Sequence, residues 1–168
     1  PKNPSCSSCP FSGDCMVFRE KRVEALPVKA KKLQRRERFF NYLLIKAEGR
    51  IFVHKRRGKD IWKGLYQFPL IESPKPLQWE GLQKALYSTE WFPGGEAYLL
   101  DRSRTFRQQL THQKIKAAFW TLRWEGPPLD EWPRQWERVR PGEWTQYPFP
   151  QIINCYLTDN SLDLKMFL

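Results

Sequence analysis

The sequence predicts an α+β fold, in which a mixed or antiparallel sheet is flanked by helices and preceded by a cysteine-containing segment and a basic linker. Three observations lead to this prediction. From residue 38 onward, several short runs alternate apolar and polar side chains, as half-buried strands do. Residues 78–88 repeat apolar side chains at helical spacing. The first 37 residues contain clustered cysteines and then many lysines and arginines.

These observations divide the chain into three predicted parts. Residues 1–18 hold the clustered cysteines, residues 19–37 form a basic linker between domains, and residues 38–168 form one globular domain. A basic run that contains proline and little periodic apolar content is typical of a solvated tether. The alternative is a tether that also lies along the phosphates of a nucleic acid.

The charge balance indicates an anionic partner. The chain has 29 lysines and arginines against 18 aspartates and glutamates, which gives a net charge of +11. An excess spread over many segments suits repeated phosphate contacts, so nucleic acid is the leading partner class. A membrane surface is a weaker alternative, because no apolar run approaches the ~20 residues that a span requires. The third alternative is a basic protein without an anionic partner.

The first half of the domain predicts strands and one helix. Strands are expected at 39–46 and 50–54, joined by a hairpin turn at Glu48-Gly49. A further strand is expected at 61–70, where Gly64 permits close backbone packing or a bulge and a proline ends the strand. The helix at 78–88 places four apolar side chains at helical spacing: Trp79, Leu82, Leu86 and Tyr87.

The second half predicts a short strand at 97–100 and then a hairpin at 104–120. Gly126-Pro127-Pro128 interrupts the chain, and a tryptophan-rich stretch follows. Most of its tryptophans are expected to pack in the core or at its rim. A closing helix is expected near 151–157, with Cys155 as a small buried residue.

The hairpin at 104–120 carries the main candidate binding site. Its strands meet at Leu110, Thr111 and His112, which combine an apolar tip, a hydroxyl and an imidazole. Basic residues flank this tip: Arg104, Arg107, Lys114 and Lys116. A tip of this chemistry on a positive surface is suited to probing a base within nucleic acid. The basic loop that contains Lys55, Arg56 and Arg57 is either a solvated loop or a phosphate clamp.

Cys6, Cys9 and Cys15 form a tight run that favours a metal site over three independent core cysteines. Iron-sulfur clusters use cysteines at short irregular spacings, whereas structural zinc sites use paired knuckles, so the spacing favours iron and sulfur. Three thiolates are one short of a closed site. Cys155 is a poor fourth ligand, and the alternative is a cysteine upstream of Pro1.

Taken together, the motifs resemble the C-terminal part of the MutY-type adenine DNA glycosylases, which remove adenine mispaired with 8-oxoguanine. The three-cysteine run resembles the last ligands of that family's 4Fe-4S cluster loop. Residues 62–69, WKGLYQFP, are similar to the signature of its Nudix-like C-terminal domain. The tip at 110–112 lies where the family commonly has Phe-Ser-His. The segments LPVK at 26–29 and YPFP at 147–150 also match.

The resemblance implies that Leu110, Thr111 and His112 read 8-oxoguanine, with a leucine in place of a stacking phenylalanine. Arg107, Lys114 and the 55–57 loop would contact DNA. Cys6, Cys9 and Cys15 would be three of the four cluster ligands, so residues 1–18 would be a remnant of the cluster loop. The full-length protein would carry the 4Fe-4S cluster, which would be absent or incomplete in this chain.

The resemblance also implies the wider function. The parent would be an adenine DNA glycosylase of base-excision repair, and this chain, without the catalytic domain, would be inactive alone. Its partners would be its own N-terminal catalytic domain and duplex DNA with 8-oxoguanine:adenine or G:A mispairs. We expect a monomer in the bacterial cytoplasm, associated with the nucleoid.

Two alternative functions use the same fold. A Nudix hydrolase needs several carboxylates on one helix to hold magnesium, and residues 78–88 offer only Glu80, with Glu72 and Glu90 outside the helix. A protein-interaction module would use the tryptophan-rich stretch at 132–144.

Overall fold

The computed structural model describes residues 4–26, 35–89, 91, 94–126, 132–140 and 142–159. The chain divides into two compact units, Pro1–Gln34 and Arg35–Leu168. Residues 27–34 of the predicted linker, with most of the LPVK segment, lie outside the described residues, as does Glu90. Across the described ranges, no helix has the length and apolar character needed to cross a membrane.

The first unit contains only short elements. It has 3-10 turns at Cys6–Ser8 and Val23–Ala25, and a four-residue helix, α1, at Met16–Arg19. No residue within these three elements is buried. Elements this short are stabilised by neighbouring contacts more than by their own hydrogen bonds.

The second unit is built on a mixed sheet, as predicted. Its strands are β1 (Arg36–Lys46), β4 (Leu70–Ser73), β5 (Glu96–Arg102), β6 (Phe106–Gln109) and β7 (Gln113–Glu125). The order is β4-β1-β7-β5, and β6 also pairs with β7. The central strands β1 and β7 are parallel, and the other pairs are antiparallel.

A small second sheet corrects the predicted pairing of the first two strands. It contains β2 (Ile51–Lys55), β3 (Tyr66–Gln67) and β8 (Glu137–Val139), in the order β3-β2-β8. The predicted turn is present, but the pairing that it closes is limited to one isolated bridge between Ala47 and Arg50. Because β4 and β7 occupy both edges of β1, the chain after the turn pairs elsewhere.

The predicted strand at 61–70 is wrong in its first half. Trp62 and Gly64 have φ angles of 60° and 86°, which belong to a left-handed turn. A Cβ atom on Gly64 would meet nothing within 4 Å, so glycine serves the backbone conformation there and not close packing. Pro69 lies between β3 and β4, and its carbonyl accepts a hydrogen bond from the Leu43 N–H at 2.8 Å.

Two helices cover opposite faces of the main sheet, which confirms the predicted fold class. Helix α2 spans Trp79–Tyr87 and helix α3 spans Gln151–Asp159. The alternation along β1 sends Phe40, Tyr42 and Leu44 into an α3-side core, and Leu43 and Ile45 into an α2-side core.

Helix packing corrects two details of the prediction. Leu82 and Leu86 are buried on α2, but Tyr87 is exposed and its hydroxyl accepts from the Ala97 N–H at 3.0 Å. Cys155 is exposed on α3, because the buried face of that helix is formed by Ile152, Ile153 and Tyr156.

The tryptophan-rich stretch packs as predicted. Trp132 and Trp136 are buried in the α2-side core, and Trp144 packs against the α3-side core. The Phe52 and Trp132 rings stack with centroids 4.4 Å apart. These rings attach the small second sheet to the main sheet's α2-side core.

Candidate nucleic-acid interface

The tip between β6 and β7 has one inward-facing and two exposed residues. Residues 110–112 form a three-residue loop, closed by a 2.8 Å hydrogen bond from the Leu110 N–H to the Gln113 carbonyl. Leu110 is half-buried and packs against the α3-side core, whereas Thr111 and His112 are exposed. Leu110 therefore anchors the loop, and the two polar side chains face solvent.

The backbone of the tip is held from a second direction by β1. The Arg36 N–H donates to the His112 carbonyl at 3.1 Å, at the start of the parallel β1–β7 pair. The loop is thus bonded to its own hairpin and to the neighbouring strand. Two independent backbone contacts limit the positions that Thr111 and His112 can take.

Behind the tip lies a charged group of side chains that we call the Arg38 cluster: Arg38, Asp60, Glu72 and Gln113. The Arg38 guanidinium binds Glu72 through Nε at 2.7 Å and Nη2 at 2.6 Å. It binds Asp60 through Nη1 at 2.9 Å and Nη2 at 2.8 Å, and Nη1 also donates to Gln113 Oε1 at 2.9 Å. One guanidinium therefore joins the starts of β1 and β7, strand β4 and the loop after β2.

Burial makes the Arg38 cluster stronger than the surface ion pairs. The Arg38 side chain is 9% exposed, whereas Arg104, paired with Asp159 near the hairpin, is 73% exposed. Exposed pairs contribute at most ~1 kcal/mol, but removing one partner of a buried, hydrogen-bonded pair costs ~3–5 kcal/mol. Hydrogen bonds from Arg38 lower the pKa of Asp60 to about 2, so this carboxylate stays charged at neutral pH.

Arg56 extends the cluster inward, and these contacts favour a structural role over its predicted role as a phosphate ligand. Its side chain is 10% exposed and its Nη2 binds Asp60 at 2.9 Å. Its Nε donates to the Ile61 carbonyl at 3.0 Å, and its Nη1 donates to Gln67. Arg56 therefore fixes the loop from inside and is not available at the surface.

The chain of hydrogen bonds ends on His54. Because Gln67 Oε1 accepts from Arg56, its amide nitrogen donates to His54 Nε2 at 3.0 Å. The His54 proton is therefore on Nδ1. Burial and the neighbouring Arg56 charge lower the pKa of His54 to about 4, so the ring is neutral at pH 7.

The other predicted basic residues remain at the surface to different degrees. Lys55 is exposed at the end of β2, Arg57 is exposed on the loop that follows, and Arg107 is exposed on β6. Lys114 and Lys116 on β7 share one carboxylate, that of Glu37, at 3.6 and 2.8 Å. Because Arg38 joins Asp60 to Gln113, the structure brings the basic loop and the tip to the same polar cluster.

The Arg38 cluster was not predicted from the sequence, although one signal of it is present there. Arg38 occupies an inward position in the alternation that continues through Phe40 and Tyr42. A charged residue at such a position requires a buried partner. Its partners come from three distant segments, so no local pattern identifies them.

The three cysteines of the first unit do not form a metal site in the described residues. Cys6, Cys9 and Cys15 are free and half-buried, and the Cys9 N–H donates to the Cys6 carbonyl at 3.2 Å. Among the residues described, no group of three cysteine, histidine or acidic side chains is arranged to hold a metal ion. The assignment of these three cysteines as cluster ligands stays a prediction.

We expect His54 to make folding stability depend on pH between about 6.5 and 4. In this range the unfolded chain binds a proton that the folded chain does not, so stability is constant above pH 6.5 and falls on acidification. The loss should be roughly 3 kcal/mol, since the pKa falls from 6.5 to about 4 and one pKa unit corresponds to about 1.4 kcal/mol. Urea denaturation at pH 7, 5.5 and 4 measures it.

The chain contains only 2 histidines, which provides a matched control. His54→Gln should flatten the stability curve over this range, whereas His112→Gln, at an exposed position, should not. Equal slopes for His54→Gln and the unchanged protein would refute this assignment. Asp60 begins to lose its own contribution near its unfolded pKa of 3.8, and because this loss is common to both variants it cancels in their comparison.

Comparison with known proteins supports a link to DNA repair enzymes. The adenine DNA glycosylase of Buchnera aphidicola subsp. Schizaphis graminum (strain Sg) is 34% identical over 80 residues. The match covers 47% of this chain and 23% of the relative, so the chain spans about a quarter of that relative's length.

Solved structures show the same fold at low identity. The C-terminal domain of mouse MUTYH, in complex with human PCNA, gives a TM-score of 0.58 at 16% identity, over 75% of this chain and 88% of that one. MutT from Methanosarcina mazei Go1 gives 0.55 at 15% identity, over 78% and 97%. The NUDIX domain model matches residues 41–159, and the chain therefore belongs to the NUDIX domain family.

Proposed function

We propose that the unit from Arg35 onward recognises 8-oxoguanine opposite adenine in duplex DNA, as part of an adenine DNA glycosylase. The observation that carries the proposal is the tip, where Thr111 and His112 are exposed on a doubly held backbone beside exposed cations. The similarity to a Buchnera adenine DNA glycosylase supports the assignment to base-excision repair. The net charge of +11 supports binding to DNA.

The two exposed side chains match the altered edge of the oxidised base. 8-Oxoguanine differs from guanine by a hydrogen on N7 and an oxygen on C8. The Thr111 hydroxyl can accept from the N7 hydrogen, and an N–H of His112 can donate to the C8 oxygen. Leu110 packs inward, so we assign it the anchoring of the loop and no wedging between bases.

The fixed backbone adds to selectivity. A loop that is ordered before binding loses less conformational entropy when it contacts the base. Because the Arg36 N–H and the Gln113 carbonyl already hold the loop, we expect little movement of residues 110–112 on binding.

Removal of the adenine requires residues outside this chain. A glycosylase rotates its target base out of the duplex into a separate pocket. We propose that this chain holds the 8-oxoguanine strand while the catalytic domain of the parent protein receives the adenine. The chain alone is expected to leave glycosidic bonds intact.

A Nudix hydrolase function finds less support. Helix α2 carries Glu80 in its first turn, and Glu72 is bound by Arg38. Among the described residues, no group of three potential metal ligands is found that could hold magnesium.

The proposal is tested by replacing both tip side chains in the parent protein. Thr111→Ala with His112→Ala should lower the preference for 8-oxoguanine:A over G:A duplexes about tenfold, since each matched hydrogen-bond pair discriminates by ~1–3 kcal/mol. Fluorescence anisotropy with both duplexes measures the ratio of dissociation constants. Thr145→Ala, at an exposed threonine of the 3-10 turn Glu143–Gln146, serves as the control. An unchanged ratio in the double variant would mean that another part of the protein reads the lesion.

The basic loop is expected to contact phosphates through Lys55 and Arg57. Replacing both with glutamine should weaken binding to all duplexes alike and reduce the salt slope by about 0.9 per lost contact. Arg56→Gln provides the contrast, because this inward side chain should affect stability and not the slope. Anisotropy titrations at salt concentrations from about 50 to about 200 mM measure the slope. A loss confined to the 8-oxoguanine duplex would contradict a phosphate role.

We also propose that Cys6, Cys9 and Cys15 belong to the 4Fe-4S site of the parent protein. Three closely spaced thiolates are one short of the ligand set of such a cluster. The chain of 168 residues should therefore contain well under four irons after anaerobic purification. Iron and sulfide analysis tests this, and a full complement in this chain would show that its own residues complete the site.

A further inference from the structure

A groove on the α2 side of the main sheet is left uncovered by the helix. It is a cavity of about 380 Å³, and we call it the α2-side groove. The lining residues that matter are Phe39, Leu77, Arg102, Thr105, Arg107 and Lys116. None of them is a tip residue, and the groove lies wholly within the second unit.

The groove exists because α2 is much shorter than the strands below it. Strand β7 has 13 residues and reaches about 43 Å at about 3.3 Å per residue, whereas the 9 residues of α2 cover about 14 Å. Leu43 and Trp120 lie in the core beneath the helix. Toward the start of β7, the same face continues beyond the helix.

The strand register places the groove side chains on this open part of the face. Phe39 pairs with Lys116 across the parallel strands, and Arg107 pairs with Lys116 across the hairpin. Arg102 pairs with Trp120, whose side chain belongs to the α2-side core. Paired residues point to the same face, so the three cations converge on one side of the sheet.

The charge of the groove is not balanced by its own walls. No aspartate or glutamate lines it. In the described part of the chain, neither Arg102 nor Arg107 has a carboxylate within 4.0 Å, and Lys116 shares Glu37 with Lys114. Like charges that face one cavity repel each other, and an anion that enters the cavity reduces this repulsion. Arg102 is held over the Trp120 ring, with its Cζ 4.7 Å from the centroid.

An aromatic surface lies beside these cations. Phe39 is half-buried, and the Lys116 Nζ lies 5.1 Å from its ring centroid. Leu77 and Ala118 provide further apolar lining. Cations beside an exposed aromatic ring are the combination by which proteins bind a phosphate together with a stacked base.

We propose that the α2-side groove is a second nucleotide-binding site, which takes one phosphate at Arg102 and Arg107 and a base against Phe39. Its volume lies in the range of small-ligand sites, about 300–1,000 Å³. The nucleotide comes either from a DNA strand or from a free mononucleotide. The site requires neither Thr111 nor His112 and is independent of lesion recognition.

Nuclear magnetic resonance titration of the 168-residue chain tests the site. The probes are inorganic phosphate, 2′-deoxyadenosine 5′-monophosphate and an undamaged single-stranded oligonucleotide of about ten nucleotides. This length lies within the range of site sizes found in domains that bind single strands. We expect saturable shifts of the Phe39, Thr105 and Ala118 amides with the mononucleotide or the oligonucleotide. If the mononucleotide saturates the shifts, a free nucleotide is sufficient to fill the groove. If only the oligonucleotide does so, the bound nucleotide belongs to a DNA strand.

Variants separate the two halves of the site. Arg102→Gln should weaken nucleotide binding at least fivefold, and Phe39→Leu should weaken it while leaving phosphate binding unchanged. Arg123→Gln, an exposed arginine at the other end of β7, should have no effect. Amide spectra of each variant without ligand establish that it is folded.

Three results would overturn the proposal: no saturable shift at the groove amides, equal affinity for phosphate and nucleotide, or unchanged binding in folded Arg102→Gln. The tip variant Thr111→Ala with His112→Ala should keep full nucleotide binding. Failure of the lesion assignment and failure of this second site are therefore distinguishable.

Discussion

The ion pairs of Arg38 hold the functional end of the second unit together. One guanidinium with a 9% exposed side chain binds two carboxylates and the Gln113 amide, and so connects the starts of β1 and β7 with β4 and the loop after β2. Leaving the buried Arg38 charge without these partners would cost several kcal/mol, so the ion pairs couple the four segments. The basic loop takes its shape from Asp60 and Arg56, and the tip ends one residue before Gln113.

The elements that could be predicted from the sequence are those in which local periodicity and tertiary packing agree. Alternation identified the β6–β7 hairpin because Phe106, Ile115 and Phe119 all face one core. Helical spacing identified α2 through Leu82 and Leu86. The predicted β1–β2 hairpin was wrong for a different reason. A turn sequence predicts that the chain reverses direction, but it does not show that both edges of β1 are already paired with other strands. The predicted burial of Cys155 was wrong because its nine-residue helix has one buried face, which three larger side chains fill.

The candidate site was predictable only in part. Thr111 and His112 were identified from their place between two strands, and the structure leaves both exposed. In the basic loop, the sequence does not distinguish Arg56, which points inward, from Lys55 and Arg57, which are exposed. A loop has no regular repeat of side-chain direction from which buried and exposed positions could be predicted. The α2-side groove depends on the length of α2 relative to β7 and on the register of four strands, and no sequence motif encodes either.

The parallel pairing of β1 and β7 also determines when the fold can form. Arg38 and Gln113 are 75 positions apart, so the central pair closes a long loop, and contacts of this kind slow folding. The β6–β7 hairpin is local and needs no such closure. During synthesis, β1 leaves the ribosome long before β7, so the backbone N–H and C=O groups on the β7-facing edge of β1 stay unpaired until most of the domain has emerged. We therefore expect the β6–β7 hairpin to form before β7 pairs with β1.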